Sequence, residues 1–196
     1  GKVSTARNHC NEMVVPLQEK VSPGRLINLV VRAFNDGIAF RYEFPEQEGW
    51  NSYVMYDEKT QFRLSGNPMA LLMYLPGYIN THEGVYTHTG YDKIAKKRLI
   101  EMPVTLEFEN GVFMSITEAA IRDYAGMYLV KEKDAFAGKL SPRLGQEKIK
   151  VEINEFPHRT PWRVISVSDR IGGLLETNIL TSLNEPCKIE DTSWIK

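Results

Sequence analysis

Apolar positions in this chain follow a two-residue period far more often than a helical one, and the clearest case runs from Leu26 to Phe44. Ile38, Phe40, Tyr42 and Phe44 fall on one face of an extended segment, with Ala39, Arg41 and Glu43 on the other. The preceding run, Leu26 to Phe34, is apolar on both faces, as expected of a strand in the middle of a sheet. Asn35-Asp36-Gly37 between them supplies hairpin turn residues. A second hairpin is predicted where Asn110-Gly111 separates Val104, Leu106 and Phe108 from Val112, Met114 and Ile116. Further strands are predicted over Glu12 to Gln18, Thr60 to Leu64, Met127 to Lys131, Lys148 to Ile153 and Arg163 to Val167. Helical patterning is confined to Tyr91 to Lys97 and a short turn near Ala119 to Asp123, while Pro45 to Asn51 and Ala135 to Gly145 read as loops. The fold class implied is mostly β: a large antiparallel sandwich with few short helices.

Composition narrows the picture only slightly. With 196 residues, 42% apolar and 25% charged, the chain has the make-up of one ordinary globular domain. A net charge of -1 gives no broad attraction to nucleic acid or to an anionic membrane, so neither is expected as a partner. Lys93, Lys96, Lys97 and Arg98 form the nearest thing to a basic cluster, and with Glu101 close behind they read as a solvated face. Cys10 and Cys187 cannot build a disulfide scaffold or a Cys-rich zinc site; free buried thiols are favoured over one long-range disulfide. No nucleotide, zinc-peptidase or serine-hydrolase motif occurs, and Gly172-Gly173 reads as a turn.

The candidate chemistry lies at the end of the second hairpin. If that strand keeps its period, Glu118 shares a face with Val112, Met114 and Ile116, where a bare carboxylate is costly unless a cation or several donors compensate it. A calcium ion would do so. Ser115 and Glu118 also spell the S-x-x-E of a capping box, which would instead open a short helix through Ala119, Ala120, Ile121 and Tyr124.

Several segments resemble, in order, the N-terminal domain of family 97 glycoside hydrolases. They are Arg7-Asn8-His9 with Asn11-Glu12, Phe34 to Tyr42, Ser115 to Gly126, Thr160-Pro161-Trp162-Arg163, Leu183-Asn184-Glu185-Pro186 and Asp191 to Lys196. The resemblance implies a galactose mutarotase-like β-supersandwich over residues 1–190, incomplete at its N-terminus, with 191–196 leading toward a catalytic barrel. It further implies a calcium-dependent α-glycosidase, an α-glucosidase or an α-galactosidase, whose acid and base or nucleophile carboxylates lie on that barrel, so that this fragment alone is inactive. Glu118 is the one site residue carried over, as a calcium ligand completing a pocket with barrel carboxylates. The implied partners are the barrel of the same polypeptide and an α-linked oligosaccharide, and the implied location is periplasmic or secreted.

Competing readings remain open at this point. A free-standing carbohydrate-binding sandwich would use Trp50, Trp162, Trp194 or exposed tyrosines, although Trp162 reads as a core or interface anchor and Trp194 as docking the linker. A mutarotase-like enzyme would pair His9 or His158 with Glu118. His82 and His88 are six apart, which is not a metal-ligand spacing. Arg41 and Arg163 are expected to pair with Asp36, Glu43 or backbone carbonyls.

Overall fold

The computed structural model describes residues 5–143, 146 and 151–194. Its strands run, in chain order, β1 (Asn11–Gln18), β2 (Leu26–Phe34), β3 (Gly37–Phe44), β4 (Tyr53–Met55), β5 (Gln61–Arg63), β6 (Met69–Leu72), β7 (Tyr74–Leu75) and β8 (Thr87–Gly90). There follow β9 (Leu99–Ile100), β10 (Val104–Glu107), β11 (Phe113–Ala119), β12 (Met127–Glu132), β13 (Ala135–Leu140), β14 (Val151–Ile153), β15 (His158–Arg159) and β16 (Trp162–Ser168). Two short helices close the series, α1 (Gly173–Glu176) and α2 (Ile179–Leu183). The molecule is mostly β and antiparallel, as the alternation implied.

Among the described residues a nine-stranded sheet has the order β1-β2-β3-β16-β11-β10-β6-β8, with β15 added beside β3. A five-stranded sheet, β5-β13-β12-β9-β7, stacks on it, and β14 pairs with β4 apart from both. The two expected hairpins are β2-β3 and β10-β11, in registers that pair Phe34 with Gly37 and Val104 with Ile116. Leu72, Val104, Leu106 and Ile116 from the large sheet meet Phe62, Ile100, Leu129, Phe136 and Leu140 from the small one, forming a core with almost no exposed surface. The large sheet buries its other face too: Val30, Ala39, Ala119, Trp162 and Val164 pack under Ile179 and Leu183 of α2. Burial on both sides explains why β16 carries apolar residues on both faces, Ile165 toward the small sheet and Trp162 and Val164 toward α2.

Several expectations need correction. Tyr91 to Lys97 forms only a 3-10 turn at Tyr91–Lys93, and the stretch Ala119 to Asp123 is not helical. The capping box reading fails because Ser115 to Glu118 stay extended within β11, paired to β16, and Ala120 turns the chain with φ +56. Ala135 to Gly145 is not a loop throughout. Its first half is the buried strand β13, in which Gly138 donates its N–H to Thr60 O at 2.8 Å and lies so close to Met127 that a Cβ would sit 2.9 Å from Sδ. Glycine there admits a close neighbour and does not signal a loop. Of the strand predicted over Lys148 to Ile153, Val151–Ile153 is present and 148–150 lies outside the described residues. Both cysteines are free thiols, but Cys10 is half-buried and Cys187 exposed, so neither belongs to the core.

Gly37 sits where β3, β16 and α2 converge. A Cβ there would press on the Ile165 carbonyl oxygen and lie 2.9 Å from both Ser166 Cα and the Ile179 side chain. Gly37→Ala is therefore expected to destabilise the domain by at least about 2 kcal/mol, at the upper end of overpacking costs because backbone must move. The corresponding fall in Tm, read by calorimetry, is about 4–8 °C for a chain of this size; an unchanged Tm would contradict the packing described.

Candidate functional site

Glu118 is the penultimate residue of β11 and stands opposite Arg163 of β16. Strand alternation turns both side chains inward, between the two sheets, on the face that also carries Ile116 and Ile165. A third charged residue reaches them from the segment entering β5: Glu58, 6% exposed. Arg163 grips it with a two-pronged fork, Nε to Oε1 at 2.9 Å and Nη2 to Oε2 at 2.6 Å. The remaining nitrogen, Nη1, donates to Glu118 Oε2 at 2.6 Å. Glu58 also accepts from the Thr60 hydroxyl at 2.6 Å and the Tyr124 hydroxyl at 2.9 Å. The other oxygen of Glu118 accepts the backbone N–H of Met127 at 3.0 Å. Since Met127 opens β12, this bond ties the end of one sheet to the start of the other.

The electrostatics of the two carboxylates diverge. For Glu58, burial favours the neutral form, but the Arg163 fork, Thr60 and Tyr124 outweigh it and hold the carboxyl below the ordinary range. For Glu118, burial prevails over the single Arg163 bond and the Met127 N–H, and the Glu58 charge adds to it, so this carboxyl is raised. Arg163 lies on the charged side with both acids, against the cost of its burial. Part of the compensation that a buried Glu118 requires is thus supplied from within the chain, although burial still prevails. The expectation that Arg163 pairs with Asp36, Glu43 or backbone carbonyls is corrected, because Asp36 and Glu43 lie on other parts of the sheet and each guanidinium nitrogen donates to Glu58 or Glu118.

Around Glu118 the rim is formed by the turn from Ala120 to Gly126, where a cavity of about 320 Å³ is lined by Asp123, Tyr124, Gly126, Ser141, Pro142 and Arg143 among others. Tyr128 of β12 is raised chiefly by burial, with the charges of Glu101 and Glu118 adding to it. His82 Nδ1 meets Glu101 Oε2 at 2.5 Å, and the His82 ring stacks on Tyr128. His158 stacks on Tyr124, one side chain removed from the Glu58 group, and no hydrogen bond joins it to Glu118 among the described residues. His9 lines a separate cleft with Asp36 and Arg170. The two histidines are therefore not assembled with Glu118 as a mutarotase-like pair. Trp162 is 1% exposed, Trp194 is exposed, and Trp50 is covered by Tyr53 on a stacked ring at 4.6 Å and by the Arg25 guanidinium at 5.3 Å. Glu58 was the residue missed from sequence. Asp57-Glu58-Lys59 looks like a solvated connection, and nothing local to it reveals the arginine 105 positions away.

Comparison with known proteins puts this sandwich in the class of carbohydrate-active enzyme modules. The family model described as "Glycosyl-hydrolase 97 N-terminal" matches residues 1–186. The chain belongs to that family, the N-terminal domain of glycoside hydrolase family 97. It is similar to a retaining alpha-galactosidase of Bacteroides thetaiotaomicron, 25% identical with all of this chain and 32% of the relative aligned. A probable retaining alpha-galactosidase of Streptomyces bingchenggensis is 27% identical over 88% of this chain and 25% of its own length. A variant of a family 97 enzyme from Pseudoalteromonas sp. strain K8 superposes with a TM-score of 0.80 at 28% identity, covering 96% of this chain and 31% of that one. The same enzyme has been solved in complex with acarbose and with panose. The chain spans about a third or less of the length of these relatives.

Removing one carboxylate from Arg163 should cost unequally. Glu58→Gln breaks a two-pronged pair on a buried guanidinium and is expected to destabilise by about 3–5 kcal/mol in urea unfolding. Glu118→Gln keeps one acceptor oxygen where two are used, so either Arg163 or the Met127 N–H loses its partner, but only a single-pronged bond is lost and the cost should be smaller. The pH dependences oppose each other. Stability from Glu58, whose folded pKa is depressed, is fully present above its unfolded pKa and lost as pH falls through the folded value. Glu118, whose folded pKa is raised, favours folding when protonated and loses that favour as pH rises from the unfolded to the folded value. The deficit of Glu118→Gln against wild type should consequently shrink across that rise, and a growing deficit would contradict the assignment.

Proposed function

We propose that this chain is the non-catalytic N-terminal module of an α-glycosidase, forming one wall of the substrate pocket of a (β/α)8 barrel in the same polypeptide. The observation that carries the reading is the family match over residues 1–186, joined to relatives about three to four times as long that are named as alpha-galactosidases or solved with acarbose and panose. Two curated relatives being retaining alpha-galactosidases favours an α-galactoside substrate, while the acarbose and panose complexes favour an α-glucoside. The parent is a periplasmic or secreted enzyme on this reading.

Within that module Glu118 is the proposed calcium ligand. Its side chain is 10% exposed at the rim, and after Arg163 and Met127 each of its oxygens keeps one lone pair. It fits the role of a single ligand. No group of three or more His, Cys, Asp or Glu able to hold a metal occurs among the described residues, and calcium takes about 6–8 oxygens, so the remaining ligands belong to the barrel. Arg163, 2.6 Å from Oε2, opposes a second cation there; ligation through Oε1 leaves that contact intact. Bound calcium would supply positive charge beside the catalytic carboxylates. What this chain contributes is orientation, because the Met127 N–H and Arg163 Nη1 fix the Glu118 carboxylate in plane and direction.

The deciding experiment uses the polypeptide joined to its barrel, assayed on p-nitrophenyl α-galactoside and α-glucoside with calcium and after chelation. Glu118→Gln is expected to lower calcium affinity by at least about 10-fold, since loss of a group that merely supports a metal ligand already costs about 10- to 100-fold, and to reduce activity with it. Full activity and unchanged calcium affinity in Glu118→Gln would remove the ligand role. Glycan binding by the isolated chain that depends on exposed aromatics and ignores Glu118 would favour a free-standing carbohydrate-binding sandwich instead.

A further inference from the structure

On the α2 side of the large sheet lies a cleft of about 580 Å³ between β2, β3, β15, β16, the residues after α2 and the outer side of the Ala120 to Asp123 turn. Trp162 forms its floor. Two guanidinium groups lie over the indole, Arg41 at 4.3 Å and Arg32 at 4.9 Å from the ring centroid. Arg32 and Arg159 are each neutralised by a good hydrogen-bonded partner, Glu12 at 2.7 Å and Glu43 at 2.8 Å. Arg41 is not. Its approach to Glu43 is 3.6 Å, too long for a hydrogen bond, and its buried Nε–H has no partner. The buried Trp162 Nε1–H and His158 Nδ1, lining the same cleft, have none either.

Guanidinium and indole N–H groups can only donate, so what they lack is an acceptor. Unmet buried donors are uncommon enough in folded chains that each calls for an explanation, and here two of them flank one cavity whose lining also holds Arg32, Arg122 and Arg159 with Asp123, Glu155 and Glu185. Burial, with the Arg159 charge adding to it, lowers Arg41 to about 10, which agrees with a positive charge that its surroundings leave undercompensated.

We propose that this cleft is an oxyanion-binding site, in which a carboxylate or phosphate oxygen of a small molecule accepts hydrogen bonds from Arg41 Nε and Trp162 Nε1. Arginine suits the task because its planar fork matches such groups, and the indole beneath fixes the fork's plane. The ligand class is a small anion of about sugar size, given the cleft volume, such as a sugar acid or inorganic phosphate. Its two donors lie on the face of the sheet opposite Glu118, since β16 sends Trp162 to one face and Arg163 to the other.

Calorimetric titration of the full chain, at constant ionic strength in chloride, tests it with inorganic phosphate, glucuronate and glucose as probes. Phosphate or glucuronate should bind and raise Tm, glucose should not, and Arg41→Gln and Trp162→Phe should each weaken binding at least tenfold. Tighter binding of glucuronate assigns the site to sugar acids, and tighter binding of phosphate assigns it to free anions. Trp162→Phe removes only the donor and part of the ring, so it decides the matter if Arg41→Gln does not fold. Oxyanions that bind no better than chloride, or a Trp162→Phe variant with wild-type affinity, would overturn the proposal and leave water as the acceptor.

Discussion

Arg163 is the residue on which the arrangement of the two sheets depends. It lies on a central strand of the large sheet with no exposed surface, and its charge is tolerable there only because Glu58 and Glu118 meet it from two directions. A guanidinium offers a fixed fan of donors, so its partners are fixed in position as well as in sign. One carboxylate must come from β11 in register with β16, and the other from the segment that enters the small sheet at β5. Any slip of β11 by one residue would turn Glu118 out of the core and leave the arginine half paired. Apolar packing between the sheets supplies most of the driving force, while this ion group selects which packing is allowed.

The same arrangement governs what the rim can do. Glu58 holds the fork of Arg163 and is the more firmly ionised acid; Glu118 has a single arginine bond and lies nearer to solvent. Two carboxylates around one guanidinium leave one negative charge in excess at the edge of the sandwich when both are ionised. That excess, held on a rigid strand end and oriented by the Met127 N–H, suits a role in attracting or positioning a positive group supplied from outside the chain. The opposite face of the same sheet has the reverse character, with arginines that outnumber their well-made hydrogen bonds around Trp162. Adjacent residues of β16 thus serve two unrelated surfaces, a direct result of alternation along a strand that is buried on both sides.

Much of the fold could be read locally. Asn35-Asp36-Gly37 and Asn110-Gly111 placed both hairpins, and the alternation that followed set their inward faces, because turn chemistry and a period of two act over a few residues. It also placed Glu118 on the inward face of β11. The short strands β6 to β9 were not anticipated, since two to four residues carry too little periodicity to register. β13 has the local look of a loop because Gly138 and Pro142 resemble breakers, whereas the glycine admits a tightly packed neighbour.

The sequence by itself determined the β class, the hairpins, the family and the inward carboxylate at position 118, because each of these is written in contiguous residues. Only the tertiary structure decided what that carboxylate meets. Arg163 and Glu58 lie 45 residues after it and 60 before it, and their charge pairing depends on how two sheets stack and not on any local pattern. The same holds for Arg41 and Trp162, whose unmet donors become visible only once distant strands are side by side. Desolvation is the physical reason, for it is a property of the assembled interior, and no segment of the chain carries it alone.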